Sequence, residues 1–312
     1  MNRVRNLLNI DRLHEQGITG KGVGIAILDT GVYTHTDLAG NIVCFQDMIN
    51  ERLALYDDNG HGTHVAGIAI SKGTASKGKY KGIAPDAHIV MIKCLNYMGN
   101  GKTPIAIRAL DFIKKNREKY NIRIINISVG SDYEKNDTEN EALIEAVEDM
   151  WKQGFVVVAA AGNNGPVGGT ITIPGCAKSI ITVGAADDDQ EVKIRGQRSM
   201  IHYSGRGPTD ICIVKPEIVA PGTGIMSCSN GKGLYSSQSG TSMATPVVAG
   251  SIALLLEKHP SLTNKEIKRR MFETAVDLGY DKNHQGWGMI HPVGLISETV
   301  INEQDFNSSL FI

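Results

Sequence analysis

No run in this chain approaches the ~20 consecutive apolar residues that a membrane-spanning helix needs. The opening stretch, MNRVRNLLNIDRLHEQG, has neither a continuous apolar segment nor a small-residue cleavage site, so no secretory signal is expected. A mature secreted form that had lost its signal would read the same way at this end. Charge of one sign is also scarce. The formal net charge is −1 over 312 residues, which gives no reason to expect nucleic acid or an acidic membrane as a partner. The five cysteines (Cys44, Cys94, Cys176, Cys212 and Cys228) are odd in number and none lies in a C-x-x-C motif. They cannot all pair within the chain, which fits a reducing, cytoplasmic compartment. There is no internal repeat, low-complexity tract or linker.

What remains is a globular composition. Hydrophobic residues make up 41% and charged residues 21%, enough for a sizeable core under an ordinary surface. Short apolar runs alternate with helical periods, the pattern of a parallel sheet covered on both faces. Strands are expected over 23–29, 88–95, 122–129, 155–161 and 179–185, and helices over 104–120, 139–154 and 244–259. The last of these is apolar nearly all round and should be buried. One α/β domain spans 1–312, with its core at about 10–296. Order is least expected in the first ~15 residues and in the tail from about Glu298.

Four segments carry reactive side chains among small residues: LDTG (28–31), GHGTHVAG (60–67), AAGNNGP (160–166) and SGTSMATP (239–246). Asp29 closes an apolar strand, at the edge where open α/β sheets place their sites. Ser242 opens the buried helix, where backbone N–H groups lack partners and the dipole favours an anion. His61 opens a shorter helical segment. A serine hydroxyl needs a base within hydrogen-bond reach, and a base working near neutrality suits histidine. A buried carboxylate then holds the useful tautomer. Asp29, His61 and Ser242 supply one of each. The bland readings are a strand-to-turn cap for D-T-G, an ordinary turn asparagine for Asn163 and a structural histidine for His64. The His61–His64 spacing lacks the glutamate of a zinc H-E-x-x-H pair.

The order and wording of these segments resemble the subtilases, the subtilisin family of serine peptidases, of the prodomain-poor, intracellular bacterial type. INISVG (125–130), YSGRGP (203–208), KPEIVAPG (215–222) and GWGMI (286–290) extend the likeness over about 10–296. The resemblance implies a three-layer α/β/α fold with a mostly parallel sheet. It also implies a serine endopeptidase working through an acyl-enzyme, with no cofactor in the chemistry and a peptide or protein as substrate. Asp29 matches the orienting acid, His61 the general base, Ser242 the nucleophile and Asn163 the side-chain oxyanion donor. Losing such an asparagine costs about 10²–10³ in kcat, a magnitude that itself comes from subtilisin. A catalytically silent binding protein of the same shape has no need of all four residues, so the intact set argues against it, whereas a ligase or cyclase that passes the acyl group to an amine would use the same residues.

The resemblance further implies that substrate lies between Gly99-Asn100-Gly101 and Ser128-Val129-Gly130. The P1 side chain would enter a pocket walled by Ala160, Ala161 and Gly162, with Thr172 at its floor. There Thr172 would shorten the pocket and favour medium, uncharged residues. The Ile173–Pro174 bond matches a cis peptide of the family. Two departures are expected. Core-like sequence begins near Met1, where most subtilases first carry a prodomain. Secreted relatives bind a structural Ca²⁺ through an acid matching Asp37 and a loop after the histidine helix. Here that loop, SKGTASKGKYKG (71–82), is lysine-rich and has no carboxylate, which opposes a dication. That calcium site is therefore expected to be absent. The run Asp187-Asp188-Asp189 could be a different calcium site, though a solvated hairpin is the simpler reading.

Overall fold

The computed structural model describes residues 1–131, 137–189, 192–194, 197–231 and 233–297. Its centre is a seven-stranded sheet made of β1 (Gly24–Asp29), β2 (Ile42–Asp47), β3 (His88–Lys93), β4 (Ile122–Ile127), β5 (Val156–Ala160), β6 (Ile181–Ala185) and β9 (Ile218–Ala220). Two antiparallel hairpins stand outside it, β7 (Val192–Ile194) with β8 (Gln197–Met200) and β10 (Ile225–Cys228) with β11 (Tyr235–Gln238). The sheet order is β2-β3-β1-β4-β5-β6-β9, and every neighbouring pair is parallel. All residues of β1, β5 and β6 are buried, because helices cover both faces and leave no solvent side for a polar residue.

The helices that matter here are α1 (Asn2–Leu7), α2 (Ile10–Glu15), α3 (His61–Ile70), α4 (Thr103–Lys115), α5 (Thr138–Lys152), α6 (Thr241–Lys258) and α7 (Asn264–Thr274). α3 packs on α6, and α4 packs on α5, giving the two outer layers. The chain begins its sheet in the middle. On one side of β1 it lays β2 at the edge and then β3 between β2 and β1, and on the other side β4, β5, β6 and β9 in turn. The order therefore reverses between β1 and β4, which opens a crevice at the carboxyl ends of the strands. Asp29 is the last residue of β1 and sits in that crevice.

All five expected strands and all three expected helices form, with shifted ends. α4 stops at Lys115, before the turn that carries Asn121 at φ +41. α5 starts under the Asp137 cap and stops before Gly154, at φ +87. α6 runs on the N-terminal side to Thr241 and is buried on nearly all sides down to Leu256. Two strands of the central sheet were not expected, nor were the two hairpins. β2 is a half-buried edge strand, and β9 is only three residues among prolines. α7 was also missed, although its Thr263–Glu266 capping box was readable as T-x-x-E.

The first ~15 residues require a correction, since they are not a loose edge. Met1, Val4, Leu8, Ile10 and Leu13 are buried, and their three-to-four spacing turns one face of α1 and α2 onto the core. The α-amino group of Met1 donates to Met226 O at 2.8 Å. Burial lowers that amine's pKa to about 5, with Arg5 and Arg3 adding to the effect. The tail from Glu298 lies outside the described residues. No helix among the described residues is long and apolar enough to cross a membrane.

Candidate active site

Asp29 is fully buried, and its carboxylate receives the Thr30 N–H at 2.7 Å. The Nδ1 of His61 lies 2.8 and 3.0 Å from the two carboxylate oxygens. Nδ1 therefore carries the proton, and Nε2 is left as the basic nitrogen. The turn that delivers His61 needs glycine. Gly60 caps α3 at φ +100, and a Cβ on Gly62 would stand 3.1 Å from both Asp29 Oδ1 and Gly31 N. The Gly62 N–H is held by Thr30 Oγ1 at 2.9 Å.

Asn163 follows β5. Its Oδ1 accepts the Thr241 N–H at 2.9 Å and lies 3.2 Å from Thr241 Oγ1. Because a backbone N–H can only donate, the amide oxygen must face Thr241. The NH₂ is then the end that can donate elsewhere. Ser242 is the second residue of α6, where the N–H has no carbonyl within the helix.

Two contacts bring His61 and Ser242 to one place. The Asp29–His61 bond and the Asn163–Thr241 bond each pin a helix N-terminus to the carboxyl edge of the same sheet. Further along, a Cβ on Gly250 would stand 3.5 Å from Ala69 O. Those two residues lie equally far along their helices from Ser242 and His61. α3 and α6 therefore run side by side, in the same direction and at the same level.

The segments expected to hold substrate, and the residues expected to wall its pocket, also gather here. Gly99-Asn100-Gly101 forms the rim of a turn closed by the Leu95–Gly101 bridge. Together with Val129 and Gly130 it lines a cavity of about 310 Å³ floored by Leu28, Cys94, Ala106, Ile127 and Leu143. Ser128 is fully buried and accepts from Asn126 Nδ2. Thr172 donates its N–H to Ala161 O. Its side chain is wedged between two glycines, so that a Cβ on Gly130 would stand 2.5 Å from Thr172 Oγ1 and one on Gly162 2.7 Å from it. Thr172 Oγ1 is buried without a hydrogen-bond partner among the described residues. Ala160 and Ala161 are buried behind it. The Ile173–Pro174 bond is cis. A larger cavity of about 610 Å³ adjoins the site and shares Thr172 as a wall, but none of its walls is Asp29, His61 or Ser242.

Sequence reasoning missed two supports of this site. Asp57 takes Thr30 Oγ1 and the Gly60 N–H on one oxygen, and Thr63 N and Oγ1 on the other. It thereby ties the residue after Asp29 to the turn before His61. The D-D-N-G of 57–60 was a readable Asx-turn signal. Lys93 is the other. It is fully buried, and its Nζ donates to Thr30 O, Leu95 O and Asp58 Oδ1 at 2.6, 2.9 and 2.7 Å. Beside it, burial and then the Asp29 charge push the Cys94 thiol up to about 12.

His64 is a structural residue. It is fully buried, with Nε2 3.0 Å from Ile225 O and 3.1 Å from Ser236 O. Burial, and next the His61 charge, lower its pKa to about 3. The unfolded chain would protonate this imidazole below ~6.5 while the native state would not, so stability is complete above that pH and falls as pH drops towards 3. Each unit lost costs up to ~1.4 kcal/mol. His64→Gln should flatten the fall of Tm between pH 6 and 4, and an unchanged acid slope would count against the assignment.

His35, Asp37 and Cys228 bring ligand atoms within 4.8 Å of one another. The His35 and Asp37 atoms are already committed. His35 Nδ1 accepts the Asp37 N–H and Nε2 donates to Leu234 O. Asp37 takes Ala75 N on one oxygen, and Ser71 Oγ and Tyr235 OH on the other. In the acidic run, Asp187 binds Gly222 N, Thr223 N and Arg3. Asp188 accepts from Ser204 N and faces His284. These groups do not fit a calcium ion as they stand.

The subtilase family profile matches residues 20–288. Serine protease AprX of Bacillus subtilis (strain 168) is 40% identical over 290 residues, covering 88% of this chain and 65% of that protein. The chain therefore spans less than two thirds of that relative's length. Subtilisin DY of Bacillus licheniformis is 33% identical over 288 residues, covering 91% of this chain and 94% of that protein. Among solved structures, Sphericase superposes with a TM-score of 0.75 at 33% identity, covering 87% of this chain and 92% of its own.

Proposed function

The chain belongs to the subtilase family, and from that premise we propose that it is a serine endopeptidase with Asp29, His61 and Ser242 as its triad. The observation that carries this reading is the Asp29–His61 pair in the switch-point crevice, at the end of the sheet where Ser242 opens α6. Ser242 Oγ attacks the scissile carbonyl as His61 Nε2 takes its proton. The buried Asp29 carboxylate steadies the imidazolium through Nδ1–H. Charge on the carbonyl oxygen is met by Asn163 Nδ2 and the Ser242 N–H. The tetrahedral species collapses as His61 returns the proton to the leaving amine, and water then repeats the sequence on the acyl-enzyme. These groups supply nucleophile, base and oxyanion donors, so the chemistry calls for no cofactor.

One peptidase domain is the organisation that the apolar cluster of the described residues supports. All five cysteines are free thiols, which supports a cytoplasmic address. An extended peptide would lie between 99–101 and 128–130, pairing with exposed backbone like an added strand. The test is a fluorophosphonate probe followed by peptide mass mapping. Labelling confined to Ser242, together with cleavage of a denatured protein substrate, supports the proposal. A folded protein that takes no label and cleaves nothing would refute it.

Thr172, wedged between Gly130 and Gly162, should hold the P1 pocket to medium, uncharged side chains. On a peptide panel kcat/KM should favour Leu and Met over Phe and Tyr. Thr172→Gly should shift that ratio towards the aromatics by roughly 10–100-fold, the scale of a small volume change in an apolar pocket. A wild type that already prefers Phe and Tyr would overturn the assignment.

A further inference from the structure

The loop that follows α3 turns its carbonyl groups inward onto a single side chain. Arg5, on α1, is 7% exposed. Its Nη1 donates to Lys79 O at 3.2 Å and Lys81 O at 2.8 Å, and its Nη2 donates to Gly78 O at 3.1 Å. Nε donates to Asp11 Oδ1 of α2 at 2.7 Å. The loop's amide side is held separately. Asp37 accepts the Ala75 N–H and the Ser71 hydroxyl, and Lys72 N donates to Asp37 O. The loop thus has an anion on its donor side and a cation on its acceptor side, both supplied by protein.

Convergent backbone carbonyls are what a hard metal ion seeks. A guanidinium meets the same need differently, because its planar fork carries five donors in fixed directions and it stays charged at all working pH values. Arg5 also excludes the metal. A dication among these carbonyls would face the guanidinium and the lysines of the loop, and the carboxylate bonded to Arg5, Asp11, is already engaged by Nε. Such a charge arrangement is repulsive at any short distance.

We infer that Arg5 is the resident cation of the 73–81 loop, a tethered side chain that organises it in place of a bound metal. The loop begins where α3 ends, so Arg5 fastens the far end of the helix that starts at His61 to α1 and α2. The inference needs no catalytic role for His61 and stands or falls separately from the proposed activity.

The test is hydrogen exchange of the 71–82 segment in the full chain, measured once in excess chelator and once in millimolar Ca²⁺. Wild type should give the same loop protection in both. Arg5→Gln should exchange at least tenfold faster in this loop and in α1, while β1, β4 and β5 keep their protection. Wild-type loop protection that rises tenfold with Ca²⁺, or an Arg5→Gln loop as protected as wild type, would overturn the inference. If Arg5→Gln fails to fold, Arg5→Lys decides. It keeps the charge but cannot span three carbonyls, so faster loop exchange upholds the role and wild-type exchange refutes it.

Discussion

Ser242→Ala is expected to lower kcat by about 10⁶ with little change in KM or Tm. That is the loss seen when the nucleophile of a triad of this kind, in subtilisin itself, is removed. The reason lies in how the residue is held. Ser242 is half-buried at the second position of α6, and the neighbouring packing is made by Thr241, Met243 and the buried residues below them. Alanine removes one oxygen from a helix position that accepts it readily. The Asn163–Thr241 bond and the Asp29–His61 bond should both survive. The oxyanion donors would therefore remain, leaving a residual ~10³–10⁴-fold acceleration over water. The measurement is steady-state hydrolysis of a chromogenic peptide, with a thermal melt to verify folding. A variant within tenfold of wild type would remove Ser242 from the mechanism.

Asp29→Asn should cost about 10⁴ in kcat, by a different route. The replacement has the same shape and can still accept the Thr30 N–H. Its amide NH₂, however, would face His61 Nδ1, which presently points at two carboxylate oxygens. The imidazole would then move its proton to Nε2, the nitrogen that must be free to accept from Ser242. Asp29 is fully buried, so bulk solvent cannot mask the exchange. The same assay separates this from simple misfolding: kcat should collapse while KM stays within a few-fold. A loss below tenfold would show that Asp29 does not set the tautomer.

How much of this was legible depends on where the information sits. The strands ending at Asp29 and Ala160 were readable because continuous apolar runs bounded by small residues need only local sequence. The buried helix behind Ser242 was readable for the same reason. β2 escaped because an edge strand with one half-covered face lacks a continuous apolar run. The first ~15 residues were misread as a loose edge. Their apolar positions are spread over two short helices, and neither would be stable without the core beneath it. Asp57 left a turn signature but no sign of the five hydrogen bonds that its carboxylate accepts, from Thr30 Oγ1, Asn59 N, Gly60 N, Thr63 N and Thr63 Oγ1. Lys93 lies in a run that reads as a strand, and nothing local shows that its ammonium will meet Thr30 O, Leu95 O and Asp58.

The sequence by itself determined which groups can do chemistry, since nucleophile, imidazole, carboxylate and amide are properties of single side chains. It also determined the period that makes a strand or a helix around each. Only the tertiary structure decided that His61 and Ser242 stand at one level, because that follows from the strand order and from the seat of α3 on α6. It likewise decided that Thr172 would sit between Gly130 and Gly162, and that Arg5 would meet three loop carbonyls. Backbone N–H and C=O groups are the same in nearly every residue, so no residue type announces which of them a distant side chain will face.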